Sequence, residues 1–165
     1  IYKGLSDTDA LTGLFNRRAF QTAVDETLLK RISGVFIFID VDNFKDYNDK
    51  YGHANGDLCL KHFAATMKKC FPKDSILGRY GGDEFVVYIK NAASDDAHRY
   101  MDEFQREISH LMMSGGEHVM VSASAGGVAF IGEGEDFVSL CRSADNMLYD
   151  VKRNGKGTFK MKGAK

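Results

Sequence analysis

Four short stretches hold residue types that can do chemistry. Residues 79–85 read Arg-Tyr-Gly-Gly-Asp-Glu-Phe, between the apolar runs 75–77 and 85–89. A Gly-Gly pair between β-favouring segments predicts a hairpin, because glycine reaches φ > 0 turn conformations at no steric cost. Asp83 and Glu84 then sit at a rigid tip, where two carboxylates repel unless a cation lies between them. The plain alternative is a surface hairpin with a polar tip. Upstream, the apolar run Val35–Ile39 stops abruptly at Asp40-Val41-Asp42-Asn43-Phe44-Lys45. Acids at the carboxyl end of a buried strand lie where ligands bind in open sheets. If the hairpin neighbours this strand, Asp40 and Asp83 face one point, and their oxygens suit Mg²⁺. An EF-hand reading fails, since Lys45 and Tyr51 stand where that loop needs glycine and glutamate. Asp42 alone reads more simply as a solvated or structural acid.

Asn48 to Asp57 is dense in polar and turn residues. Asn55 is a candidate cap for a helix starting near Gly56, with Asp57 complementing the dipole of its first turn. The competing reading is base recognition. A carboxylate accepts two hydrogen bonds from N1–H and the 2-amino group of guanine, an asparagine amide meets other ring atoms, and adenine is rejected. Lys152, Arg153, Lys156 and Lys160 cluster at the end of the last helix, either complementing its dipole or meeting terminal phosphates. The loop Gly155-Lys156-Gly157 permits close backbone approach. His53 is a candidate acid, base or ligand contact, though a single histidine beside glycine is more often structural. Ser122 and Ser124 read as small packing residues of a strand. The chain has no nucleophile elbow, no Walker loop and no GxGxxG.

The elements that must position these groups follow from periodicity. Phe20, Val24, Leu28 and Ile32 make an apolar helical stripe over Arg17–Ile32. A buried strand follows at Val35–Ile39, then a helix at Gly56–Cys70 with Pro72 beyond it. After the hairpin of 76–89, Ser94 caps a helix carrying Ala97, Met101, Phe104, Ile108 and Leu111, broken at Ser114-Gly115-Gly116. One strand is expected over Val119–Phe130, a last helix over Phe137–Lys152 and a short tail strand at 158–160. Helices alternating with strands around a hairpin imply an α/β (α+β) fold: a mixed, split-βαβ sheet of about five strands flanked by helices.

The 165 residues suit one domain, 1–165, with 1–16 as a lead-in. The start at Ile1-Tyr2-Lys3 suggests a module excised from a longer protein whose input domain lies elsewhere. Apolar residues at 44% and charged residues at 27% are ordinary globular values. A net charge of −1 gives no support for a basic nucleic-acid surface. No apolar run approaches the ~20 residues that span a bilayer, so no membrane contact is expected. Cys59, Cys70 and Cys141 form no zinc pattern, and free thiols in a reducing cytoplasm are the simplest account.

Taken in order, the motifs resemble the GGDEF family of diguanylate cyclases. They are Asp9-Ala10-Leu11-Thr12-Gly13-Leu14-Phe15-Asn16-Arg17-Arg18, Asp40 to Lys45, Asn48-Asp49, Gly52-His53 through Gly56-Asp57, Arg79 to Phe85, Ser124-Ala125-Gly126 and Ala144 to Tyr149. They span nearly the whole chain. The resemblance implies a palm-like fold with a βαββαβ core, shared with nucleotidyl cyclases and polymerases. It implies condensation of two GTP into cyclic di-GMP with loss of two pyrophosphates, one GTP per subunit of a homodimer. By the match, Asp40, the Val41 carbonyl and Asp83 or Glu84 hold Mg²⁺, for which Mn²⁺ can substitute. Asp83 or Glu84 accepts a proton and Lys45 steadies developing charge. Asn43 and Phe44 cradle phosphate through backbone N–H groups. Asn48 and Asp57 read guanine, Lys152 and Lys156 meet terminal phosphates, and Gly81 and Gly82 let substrate lie against the hairpin. An upstream sensor or receiver domain and a cytoplasmic site of action are expected too.

Two departures stand out. Many members carry an inhibitory Arg-x-x-Asp before the signature, whereas this chain has Pro72-Lys73-Asp74-Ser75, so no feedback site of that kind is expected. Many also end Gly-Arg-Asn where Gly155-Lys156-Gly157 stands here, which keeps the charge but loses the bidentate fork. A GTP-binding regulatory module without turnover is the competing reading.

Overall fold

The computed structural model describes residues 6–112 and 115–162. The long helices and strands are α1 (Arg17–Leu29), β1 (Gly34–Val41), α2 (Phe44–Tyr51), α3 (His53–Cys70), β2 (Ile76–Arg79), β3 (Glu84–Lys90), α4 (Ser94–Ile108), β6 (Ala123–Phe130) and α5 (Phe137–Arg153). Three short strands, β4 (His110–Met112), β5 (His118–Met120) and β7 (Phe159–Met161), complete the order. The main sheet runs β2-β3-β1-β6-β7, antiparallel throughout except for the parallel β6–β7 pair. This is the mixed five-stranded α+β sheet expected from the sequence.

β1 is central, and all of its residues are buried. A strand covered on both faces needs apolar side chains at every position, which accounts for the unbroken run Val35–Ile39. Alternation then divides them. Val35, Ile37, Ile39 and Val41 join the core under α3 and α4, with Phe63, Met67, Met101 and Phe104. Phe36 and Phe38 point to the other face, where Phe20 of α1 and Phe137, Leu140 and Leu148 of α5 cover them. Because the side-chain period is two, Asp40 falls on the α5 face. α5 lies very close to β6 there. A Cβ at Gly126 would stand 2.2 Å from the Leu148 nitrogen and 2.4 Å from the Ala144 oxygen, so only glycine lets the helix sit down. That seating brings the end of α5 to the end of β1.

Several boundaries differ from the sequence expectation. α1 stops at Leu29, three residues short of Ile32. Its start is capped by Asn16, whose side chain accepts from the Ala19 N–H, a contact worth about 1 kcal/mol. Ala93 rather than Ser94 precedes α4, and Asp96 accepts from the Ala93 N–H. α4 ends at Ile108, so Leu111 lies in β4 and not on the helix; Ser114, part of the expected break, lies outside the described residues. The strand expected over 119–130 is two: β5 pairs with β4 in a separate ribbon, and β6 enters the main sheet. α2 was not foreseen, and α3 begins at His53, not near Gly56. Asn55 is therefore no cap; it lies inside α3 and donates to the Tyr51 carbonyl. Asp57 is correspondingly beyond the first turn. Among the described residues the three cysteines are free thiols. No described helix is long and apolar enough to cross a membrane.

Candidate active site

β1 delivers Asp40 to the edge of a cleft, in register with Glu84 of β3 on one side and Ser124 of β6 on the other. The Val41 N–H donates to the Asp83 carbonyl at 3.2 Å, which ties the strand end to the hairpin tip. Asp40 is only 5% exposed. Its Oδ2 accepts from the ammonium of Lys152 on α5, and its buried Oδ1 has no hydrogen-bond partner within the chain. Burial raises the Asp40 pKa above the ordinary aspartate value; Lys152 pulls it back, and Asp83 and Asp145 push it further up. Glu84 is also raised, by burial first and then by Asp40 and Asp83. The Lys152 ammonium loses solvation, but the three carboxylates more than compensate and its pKa rises.

A cleft of about 300 Å³ opens beside these acids, lined by residues 40–46 with Asp83, Lys152 and Lys156. Asn43 enters α2 in the left-handed region at φ 54°, and the Lys156 ammonium donates to its Oδ1 at 2.9 Å. Phe44 and Lys45 open α2 and line the cleft. The structure thus gathers Asp40, Val41, Asn43, Phe44, Lys45, Asp83, Lys152 and Lys156 around one space, with Glu84 alongside.

Asn48 and Asp57 do not line that cleft. They sit on α2 and α3, linked through Gly56: a Cβ there would fall 1.8 Å from Asn48 Oδ1. That buried oxygen has no partner within the chain, whereas the Asp57 side chain is exposed. His53 is exposed in the first turn of α3 and does not line the cleft either.

The hairpin works differently from its sequence rationale. Neither Gly81 nor Gly82 adopts positive φ. Gly81 instead supplies room, since a Cβ would meet Glu84 Oε1 at 2.3 Å, and Gly82 faces open space. The tip is clamped by Arg79. Its Nε and Nη2 donate to the Gly81 and Gly82 carbonyls at 2.8–3.2 Å, and its Nη1 reaches both oxygens of Asp9 at 3.2 Å. Thr12 also donates to Asp9 through its N–H and its hydroxyl. A planar fork can bind two carbonyls and a carboxylate together, which lysine cannot do. Ser122 and Ser124 are not mere packing residues: their hydroxyls donate to Asp42 at 2.6 and 2.5 Å. An acid two positions after a strand-ending acid, facing alternate serines, was the only signal in the sequence.

The donor set is all oxygen, and the unpartnered Oδ1 of Asp40 beside Glu84 fits a hard divalent cation. Among the described residues no three His, Cys, Asp or Glu side chains form a ready cage.

The site is a strand-end acid cluster beside a lysine-lined cleft. The family model for the diguanylate cyclase GGDEF domain matches residues 6–158, so the chain belongs to the GGDEF family. It is 33% identical over 158 residues to the cyclic di-GMP phosphodiesterase PdeR of Escherichia coli, covering 94% of this chain and 24% of that protein. It is 31% identical over 160 residues to diguanylate cyclase A of Treponema denticola, covering 92% and 43%. The chain thus spans from about a quarter to under half the length of these curated relatives. The solved GGDEF domain of DgcB from Caulobacter crescentus, in complex with c-di-GMP, superposes with a TM-score of 0.88 at 27% identity, covering 99% of this chain and 97% of that one.

Proposed function

We propose that this chain is an active diguanylate cyclase module that condenses two GTP molecules into cyclic di-GMP. The observation that carries this is Asp40, buried with a free oxygen, next to Glu84 and a lysine-lined cleft. Asp57 accepts N1–H and the 2-amino group of guanine while the Asn48 amide meets other ring atoms, so adenine is disfavoured. The N–H groups of Asn43 and Phe44, at the start of α2, hold phosphate oxygens, helped by the dipole. Lys152 and Lys156 hold the terminal phosphates, Lys152 moving from Asp40 to do so. Lys45 balances charge that grows on the phosphate under attack.

The ribose 3′-oxygen of one GTP attacks the α-phosphorus of the other, and pyrophosphate leaves with the electron pair of the broken P–O bond. Glu84 or Asp83 takes the 3′-hydroxyl proton. Asp40, the Val41 carbonyl and Asp83 or Glu84 would hold Mg²⁺, which lowers the pKa of the hydroxyl and offsets phosphate charge. Each chain holds one GTP, so closing the ring takes two chains facing each other.

A second reading is a GTP-binding regulatory module without turnover. It is favoured by the 33% match to a relative named for phosphodiesterase activity. Incubation with GTP and Mg²⁺ followed by chromatography decides. Cyclic di-GMP is expected, and Asp83→Ala with Glu84→Ala should cut its formation at least about a thousandfold. No product from an enforced dimer would falsify the cyclase reading.

A further inference from the structure

Lys156 is held in a costly backbone state. Gly155, Lys156 and Gly157 take φ of 116°, 63° and 70° in succession. The glycines accept this freely, but a lysine there needs its surroundings to hold it. Two backbone donors flank it. The Lys156 N–H donates to the Val151 carbonyl at 3.0 Å, at the end of α5. The Gly157 N–H donates to Ser124 Oγ at 2.9 Å.

Ser124 is fully buried, and its single hydroxyl proton goes to Asp42 Oδ1 at 2.5 Å. Its oxygen is therefore left to accept from Gly157, and the chain of donors has one direction: Gly157 N–H to Ser124 O–H to the Asp42 carboxylate. A carboxylate at the end of such a chain polarises and strengthens the links before it. Asp42 is itself fixed. Its Oδ2 accepts from Ser122 Oγ at 2.6 Å, and its N–H donates to the Ser122 carbonyl at 3.0 Å. The relay ties the residue after Lys156 to the segment between Asp40 and Lys45, the two walls of the cleft.

We propose that Asp42 and Ser124 are positioning residues: they lock the Gly155–Gly157 turn so that the Lys156 ammonium stays beside Asn43, at the distance the outer phosphates of a nucleoside triphosphate require. This rests on the cleft taking a nucleoside triphosphate. The relay acts on phosphate recognition through Lys156 and leaves guanine recognition untouched.

The test compares the non-cyclisable probe α,β-methylene-GTP with GMP by calorimetry in Mg²⁺, using the full chain. Ser124→Ala, which removes one oxygen and no charge, should weaken the triphosphate about tenfold and leave GMP within about twofold, the loss of roughly one charge-assisted contact. Lys156→Ala should lose as much, and the double variant no more than Lys156→Ala alone, because Ser124 acts through Lys156. Additive losses, an equal loss for GMP or no loss at all overturn the proposal. In the unsubstituted protein the Gly157 amide should resist hydrogen exchange, and fast exchange there overturns the relay even if Ser124→Ala fails to fold. If the unsubstituted protein does not bind the triphosphate probe, the cyclase reading falls as well.

Discussion

Gly56 illustrates how a missing side chain can make room for a neighbour. The space a Cβ would fill is already occupied by Asn48 Oδ1, 1.8 Å away. Gly56→Ala must therefore displace Asn48, while Asp57, the next residue, stays on α3. The expected result is a KM for GTP raised about tenfold with kcat changed much less, and no further loss when Asn48→Ala is added. Steady-state kinetics on the three variants check this. Asp40, Lys152 and Lys156, which the structure brings to one cleft, were legible because a charged group in an unusual setting stands out. Gly56, Ser124 and Asp42 were not, because their roles depend on neighbours distant in the sequence.

At the scale of elements, α2 shows where periodicity fails. Its eight residues are mostly polar, and only Phe44, Tyr47 and Tyr51 offer an apolar face. Tyr47 stacks with Phe44 at 6.4 Å and leans on Tyr51 at 5.0 Å. Such a short helix is held by packing rather than by propensity, so local sequence cannot announce it. The α3–α4 contact carries a pH dependence. His62 of α3 faces the Ile108 carbonyl of α4 at 3.2 Å, and a carbonyl can only accept, so Nε2 carries the proton and the ring is neutral when Nδ1 is bare. Burial lowers the His62 pKa, only partly offset by that bond. With the folded pKa below the unfolded one, its contribution is present above the ordinary value of about 6.5 and is lost as pH falls from there through the lower folded pKa. His62→Gln keeps a donor but cannot titrate. Between pH 7 and 5.5 the unsubstituted protein should lose more in thermal midpoint than His62→Gln. Equal slopes would show that His62 does not carry the dependence.

For the molecule as a whole, one chain has one acid cluster beside one lysine-lined cleft, but the proposed product joins two nucleotides through two identical bonds. Turnover per chain should therefore rise in proportion to protein concentration when dimers are scarce, and lose that dependence in an enforced dimer. Initial rates over a hundredfold dilution check this, and a concentration-independent rate from an isolated monomer excludes it. The sequence by itself determined the class of fold, the central buried strand ending in Asp40 and the chemical types of the site, because hydrophobic period and unusual acids are local properties. The tertiary structure alone decided that Asp40 falls on the α5 face, that Gly126 lets α5 close enough to bring Lys152 to it, and that Arg79 reaches Asp9 to clamp the hairpin. It also decided that Ser124 links Asp42 to the Lys156 turn. These are contacts between segments far apart in the chain, and they exist only once strand register and helix seating are set.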